Sequence, residues 1–235
     1  MGKDVIIALD FSTAEETLSF LDKFADNDRK PYVKVGMELY YAEGPAIIKA
    51  IKKRGHKLFL DLKLHDIPNT VRKAMSVLSN LDVDMVNVHA AGTIDMMKAA
   101  KEGLTREDGS RPLLIAVTQL TSTSQERMTN ELLIEEDIDK VVIKYAENAD
   151  DAGLDGVVCS PLEAGKIHSA CGRNFLTVTP GVRFADGDKG DQVRVTTPER
   201  AKEIGSDYIV VGRPITQADD PVAAYNRCVA EFVEE

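Results

Sequence analysis

Short runs in which Val, Ile and Leu fill nearly every position alternate along this chain with longer stretches whose apolar residues recur every three or four places. The short runs are "VIIALD" (5–10), "YVKVG" (32–36), "LFLDL" (58–62), "MVNVHA" (85–90), "LLIAVTQ" (113–119), "GVVCS" (156–160), "FLTVT" (175–179) and "YIVVG" (208–212). Most are apolar on both faces, as parallel strands covered by helices must be. The longer stretches carry helix punctuation. Ser12 or Thr13 can cap the first, Pro68 stands in a first-turn position, and Gly55, Gly153 and Gly205 close three others. Eight such units predict an α/β protein, a (β/α)8 barrel occupying residues 1–235 as a single domain. An open doubly wound sheet needs fewer strands, and no G-x-G-x-x-G follows the first one.

One local pattern recurs. "LDVDMVNVHA", "AGLDGVVCSP" and "IGSDYIVVGR" each join a helix end, a turn bearing Asp, and a buried strand. Two stretches are too polar for core, 121–137 after the fifth strand and 181–198 after the seventh, and both are expected as long loops. The second is expected to cover a ligand site over residues 181–192, because its glycines and acids leave nothing to pack on.

Composition narrows the function. With 43% hydrophobic and 29% charged residues, the chain can bury a full core. A net charge of −10 disfavours nucleic acid and anionic membrane as partners, though it leaves room for a local basic pocket. No apolar run approaches the ~20 residues of a membrane span. The N-terminus reads as a strand rather than a signal peptide. Cys159, Cys171 and Cys228 are few and scattered, as expected of reduced thiols in the cytoplasm. The four histidines have no metal-ligand spacing, so no metal is expected.

Barrel chemistry sits at the C-terminal ends of strands. Those ends carry Asp10, Lys34, Asp61 with Lys63, His89, the run Thr118 to Thr121, and Gly212 with Arg213. Strand alternation points Asp61 and Lys63 the same way, into the barrel. Asp66 lies past the strand end, where alternation no longer applies. It can fold back on Lys63 or face outward across an interface. Two carboxylates beside one ammonium hold it protonated, which suits a proton donor and not a Schiff-base lysine. The same triple also fits a structural ion pair. "VVGRPI" ends a strand in Gly and Arg before a short helical turn, an arrangement that can grip phosphate, and "PGVR" adds Arg183.

Taken together, "IIALDFSTAEET", "VKVGMELYYAEGP", "FLDLKLHDIPNTV", "VNVHAAG", "LIAVTQLTSTS", "FLTVTPGVR" and "IVVGRPIT" resemble the signature blocks of the bacterial orotidine 5′-monophosphate decarboxylases over essentially the whole chain. The resemblance implies a lyase that converts orotidine monophosphate (OMP) to UMP and CO2 in pyrimidine synthesis, without metal or organic cofactor. It also implies a homodimer of barrels with shared sites. Lys34, Asp61 and Lys63 would form a charged array completed by Asp66 of the partner subunit, with Lys63 the proton donor. Asp10 and Lys34 would hold the ribose, with Thr70 of the partner subunit nearby. Thr121 would meet the pyrimidine, and Arg183, Gln192, Gly212 and Arg213 the phosphate. Related sugar-phosphate decarboxylases and hexulose-phosphate synthases share the D-x-K-x-x-D block but use Mg²⁺, held partly by a glutamate where this chain has Lys34. A non-catalytic phosphate-binding barrel is the remaining reading, and it predicts an incomplete array.

Overall fold

The computed structural model describes residues 3–185 and 196–234. Its first half runs β1 (Asp4–Leu9), α1 (Ala14–Asp22), β2 (Tyr32–Val35), α2 (Met37–Glu43), α3 (Pro45–Lys53), β3 (Leu58–Leu64), α4 (Pro68–Leu78), β4 (Met85–His89) and α5 (Thr93–Leu104). The second half runs β5 (Leu113–Val117), α6 (Gln125–Leu132), α7 (Ile138–Asp151), β6 (Gly156–Val158), α8 (Ala164–Cys171), β7 (Leu176–Pro180), α9 (Pro198–Ile204), β8 (Tyr208–Val211), α10 (Arg213–Thr216) and α11 (Pro221–Phe232). The eight strands are parallel and close in order, β8 pairing with β1, so the expected (β/α)8 barrel is the observed fold. Among the described residues, no helix is long and apolar enough to cross a membrane.

The continuous apolar strands divide by parity. Ile6, Ala8, Tyr32, Phe59, Met85 and Val210 belong to the cluster that fills the barrel. Their alternates, such as Ile7, Leu9, Val33, Leu60 and Val86, join the larger cluster beneath the helices. Each strand therefore buries both faces, which is why the runs lack a polar alternation. One step further along the inward parity, the residues turn polar: Asp10 follows Ala8, Lys34 follows Tyr32, Asp61 follows Phe59 and Asn87 follows Met85. The candidate site is thus the top layer of the barrel's own interior.

The helix signals act as expected at several ends. Thr13 caps α1 by accepting from the Glu16 N–H, Pro68 opens α4, and Gly205 ends α9 at φ 101°. The stretch 121–137 departs from its expected loop, because it contains α6. Ser124 caps that helix through the Arg127 N–H, Met128 is buried, and Gln125 donates to the Glu136 carbonyl while accepting from the Ile138 N–H. One buried apolar residue and a set of polar ties are enough there, and hydrophobic periodicity does not register them. The helices α2, α5 and α8 were also silent in the pattern. The buried face of α5 mixes Met96 and Met97 with Ala100 and Leu104, a weak apolar stripe. α5 also packs so close to α4 that a Cβ on Gly103 would stand 2.0 Å from the Arg72 carbonyl oxygen.

The recurring Asp before a strand proves to be one repeated device at the N-terminal end of the barrel. Asp84 donates its N–H to the Leu58 carbonyl and accepts the Leu58 N–H on its carboxylate at 2.7 Å. Asp155 does the same with Leu114, and Asp207 with Thr177. Each carboxylate also holds a basic side chain, respectively Lys52, Arg111 and His168. The residue so gripped is the first or second of the preceding strand, so each Asp secures the end where the ladder begins. Replacing Asp155 with Ala leaves the Leu114 amide without its side-chain acceptor and Arg111 without its carboxylate. The expected cost is about 1–3 kcal/mol of stability, read from urea or thermal melting. An unchanged melt would show that the device is ornamental.

Candidate active site

The C-terminal mouth of the barrel opens on a cavity of about 480 Å³, a size suited to a small ligand. Its lining is partly apolar, with Phe59, Val117, Leu120, Val158, Val178 and Pro180 among its residues. It is also charged. Asp10, Lys34, Asp61 and Lys63 line one part of the cavity, and Arg183, Gly212 and Arg213 line it as well, beside Thr121.

The charged part is built around one buried carboxylate. Asp61 is 7% exposed. Its Oδ1 accepts from Lys63 Nζ at 2.7 Å and from Asn87 Nδ2 at 2.7 Å, while its Oδ2 faces Lys34 Nζ at 3.2 Å. Lys34 also reaches Asp10 Oδ1 at 3.4 Å. Burial pushes the Asp61 carboxyl up, but Lys34 and Lys63 together outweigh it and hold it below the ordinary carboxylate value. Burial likewise pulls the Lys34 ammonium down, and the charges of Asp61 and Asp10 more than reverse this. Both groups are therefore ionised at neutral pH. Among the described residues, Lys34 is held between two carboxylates, Asp10 and Asp61, whereas Lys63 pairs with Asp61.

Asp61 and Lys63 do converge, yet simple alternation is not what brings them together. The ladder between β3 and β4 pairs Leu60 with Val86 and then Leu64 with Val88. Three residues, Asp61 to Lys63, consequently stand opposite the single Asn87. Lys63 absorbs the surplus by adopting φ 52°, a left-handed conformation that costs a non-glycine residue about 1–2 kcal/mol. Its displaced N–H donates to Asn87 Oδ1 at 2.8 Å. Asn87 is 1% exposed and was not singled out from sequence. The available signal was a polar residue at an inward position of an otherwise apolar strand.

The remaining expected residues fall into three groups. Asp10, Thr121, Arg183, Gly212 and Arg213 line the cavity, and Gln217 on the turn after α10 joins them unforeseen. Asp66 and Thr70 are exposed and do not line it; the Asp66 carboxylate accepts from the Ile67 N–H at 2.7 Å and does not fold back on Lys63. Gln192 and most of the expected covering segment 181–192 lie outside the described residues. The stem of that segment is described: Val182 bridges Thr196, the Arg183 N–H donates to the Thr196 carbonyl, and Arg227 stacks 4.1 Å over the Phe184 ring. His89 is half-buried and its ring lies 5.8 Å from that of His65. Burial, His65 and Lys63 push its pKa down, so it is neutral at pH 7.

Fold and site together define a class, a (β/α)8 barrel whose cavity joins a lysine–carboxylate array to arginines able to grip an anion. The chain belongs to the orotidine 5′-phosphate decarboxylase / HUMPS family, which it matches over residues 3–228. It is 59% identical over 230 residues to an orotidine 5′-phosphate decarboxylase of Streptococcus thermophilus, covering 98% of this chain and 97% of that one. A Bacillus cereus protein of the same name is 58% identical over 228 residues, covering 96% and 95%. The crystal structure of orotidine 5′-phosphate decarboxylase from Lactobacillus acidophilus superposes with a TM-score of 0.87 at 45% identity, over 98% of this chain and 99% of that one.

The depressed Asp61 pKa has a measurable sign. Its ionised form stabilises the folded state above the unfolded carboxylate value of about 3.9, and that contribution fades as pH falls through the lower folded value. The difference in Tm between wild type and Asp61→Asn should hold steady from pH 7 to 5 and change only below about pH 4. Because the Asp61 charge also acts on His89, the comparison is made in a His89→Gln background. There, a difference that changes between pH 5 and 7 would mean that Asp61 titrates in that range and is not held by the lysines.

Proposed function

We propose that this chain decarboxylates OMP to UMP as the last step of UMP synthesis, with no metal or organic cofactor. The observation that carries the reading is Lys34, an ammonium 3.2 Å from Asp61 at the end of β2. The family name spans two chemistries, and in the Mg²⁺-dependent one that place holds a glutamate ligand. Here both nearby carboxylates, Asp10 and Asp61, already face Lys34, and a divalent cation would have to displace that ammonium. The close relatives called orotidine 5′-phosphate decarboxylase support the same choice.

The chemistry follows from the array. The bond between C6 of the pyrimidine and its carboxylate breaks, CO2 leaves, and the electron pair stays on C6. Lys63 stabilises that developing charge as a fixed ammonium, then gives C6 a proton and recovers one from water. Asp61 keeps the ammonium in place and stands where the departing carboxylate must lie. Asp10 and Lys34 hold the ribose, Thr121 meets the base, and Arg183, Gly212, Arg213 and Gln192 serve the phosphate. Grip on a phosphate remote from C6 supplies binding energy for orienting the reacting carbon. Residues 1–235 act as one catalytic barrel, in the cytoplasm.

The site is completed by a second copy. Asp66 and Thr70 face outward in this chain, flanked by Ile67 and Val77, which are 67% and 64% exposed. Asp66 of the partner subunit then joins Lys63, and Thr70 of the partner subunit approaches the ribose. Neither nucleic acid nor a membrane has a part in this reading.

Loss of the orotate absorbance measures turnover directly. Wild type should convert OMP undiminished in EDTA, and Lys63→Ala should lose turnover by several orders of magnitude while melting as wild type does. Sensitivity to EDTA would favour the metal-dependent chemistry, and a folded, active Lys63→Ala would remove the proton donor. Mixing Lys63→Ala with Asp66→Ala, each inactive alone, tests the shared site. Mixed dimers would carry both lesions in one site and neither in the other, so activity should partly return. Mixed dimers that form without regaining activity would place Asp66 in its own chain's site.

A further inference from the structure

We infer that Asn87 is a positioning residue for the decarboxylation. It acts on the Lys63 ammonium from two directions, through the Lys63 backbone and through the Asp61 carboxylate. The inference rests on the proposed function for its kinetic consequence and on geometry alone for its structural one.

Asn87 stands on β4, 1% exposed, where the inward parity of that strand passes from Met85 to the polar layer. Its amide orientation is dictated by chemistry. The Lys63 N–H can only donate and so takes the oxygen, and the ionised Asp61 can only accept and so takes the nitrogen. One planar group thereby ties two points of β3 that are two residues apart. It supplies the acceptor that the ladder no longer offers where β3 bulges, and this holds Lys63 at φ 52°. It also fills the Oδ1 of Asp61 alongside the Lys63 ammonium, so the carboxylate cannot rotate without giving up both bonds. Lys63 Nζ is thus fixed at its root by the bulge and at its tip by a carboxylate whose own rotation is blocked.

Both jobs need an acceptor and a donor on one side chain, and the Asn87 amide supplies each. A leucine has the right volume and offers neither bond. An aspartate keeps an acceptor for the Lys63 N–H but turns a second carboxylate oxygen toward Asp61 Oδ1, where the present contact is 2.7 Å. That like charge favours protonation of the pair. The two substitutions therefore separate a structural role from a positioning one, since Asn87→Asp retains the bond that the backbone needs.

The test measures kcat and KM for OMP, the affinity for UMP, and the pH profile of kcat/KM, in wild type, Asn87→Leu and Asn87→Asp. Carbon-13 titration of the Asp61 carboxyl in the ligand-free proteins reads the geometry independently of any substrate. With Lys63 loosened, kcat should fall about tenfold to a hundredfold, as small misplacements of reacting groups do, while UMP affinity stays within about threefold. The Asp61 titration and the acid limb of kcat/KM should both move to higher pH, further in Asn87→Asp than in Asn87→Leu. If Asn87→Leu fails to fold, Asn87→Asp alone carries the same expectations. Wild-type kcat in a folded variant, or equal losses of kcat and UMP affinity with an unmoved Asp61 titration, would reduce Asn87 to a core filler and overturn the inference. Should wild type itself fail to turn over OMP, the proposed function falls, while the Asp61 titration still decides whether Asn87 sets the array.

Discussion

Asp61 is a carboxylate buried at the top of a hydrophobic barrel, and the surrounding structure is arranged to keep it charged. Taking an ion out of water costs several kcal/mol, and removing one partner of a buried pair leaves that cost uncompensated. Here two lysines and an amide share the two carboxylate oxygens. Satisfying them requires Lys63 to leave strand conformation, and that in turn requires a side chain on β4 to replace the lost ladder bond. The bulge, the left-handed Lys63 and the buried Asn87 are consequences of a single demand. Strain of this kind is tolerated where neighbouring structure over-determines it, and here Asn87 and Asp61 hold Lys63 from two sides.

The two ends of the barrel use carboxylates in opposite ways. At the N-terminal end, Asp84, Asp155 and Asp207 each close a strand edge through a two-bond clasp with the backbone, and each sits partly in water. Their task is to secure the ladder. At the C-terminal end, the Asp10 and Asp61 carboxylates bind side chains instead, those of Lys34, Lys63 and Asn87. The division matches the general habit of this fold, in which stability concentrates at the bottom and chemistry at the top. It also lets the top layer hold strain, because the clasps below fix the strands that carry it.

The cavity is lined by two unlike groups, the lysine–carboxylate array and two arginines. Apolar side chains line the same cavity as the Lys63 ammonium, and a fixed charge acts most strongly where water is scarce. Arg183 follows β7 and Arg213 follows β8, while Asp61 and Lys63 belong to β3, so the same cavity is lined by cations from different strands. An acidic protein of net charge −10 can in this way present a local site for an anionic ligand.

Much of this was legible in the order of residues. Both-face-apolar strands that alternate with helices demand a parallel sheet covered on both sides, and their number, eight, with no G-x-G-x-x-G after the first, favoured the barrel over an open sheet. Polar residues at strand ends followed too, because inward parity carries Lys34 and Asp61 to the same layer whatever the details. Three things were decided only by the tertiary structure. α6 exists because polar side chains tie a short helix down, a contribution that hydrophobic periodicity does not count. Lys34, rather than Lys63, lies between two carboxylates of its own chain, because partners on neighbouring strands are set by register and sheet closure. Asn87 became visible only once the ladder between β3 and β4 showed three residues facing one, for a register break is a property of two strands and neither carries it alone.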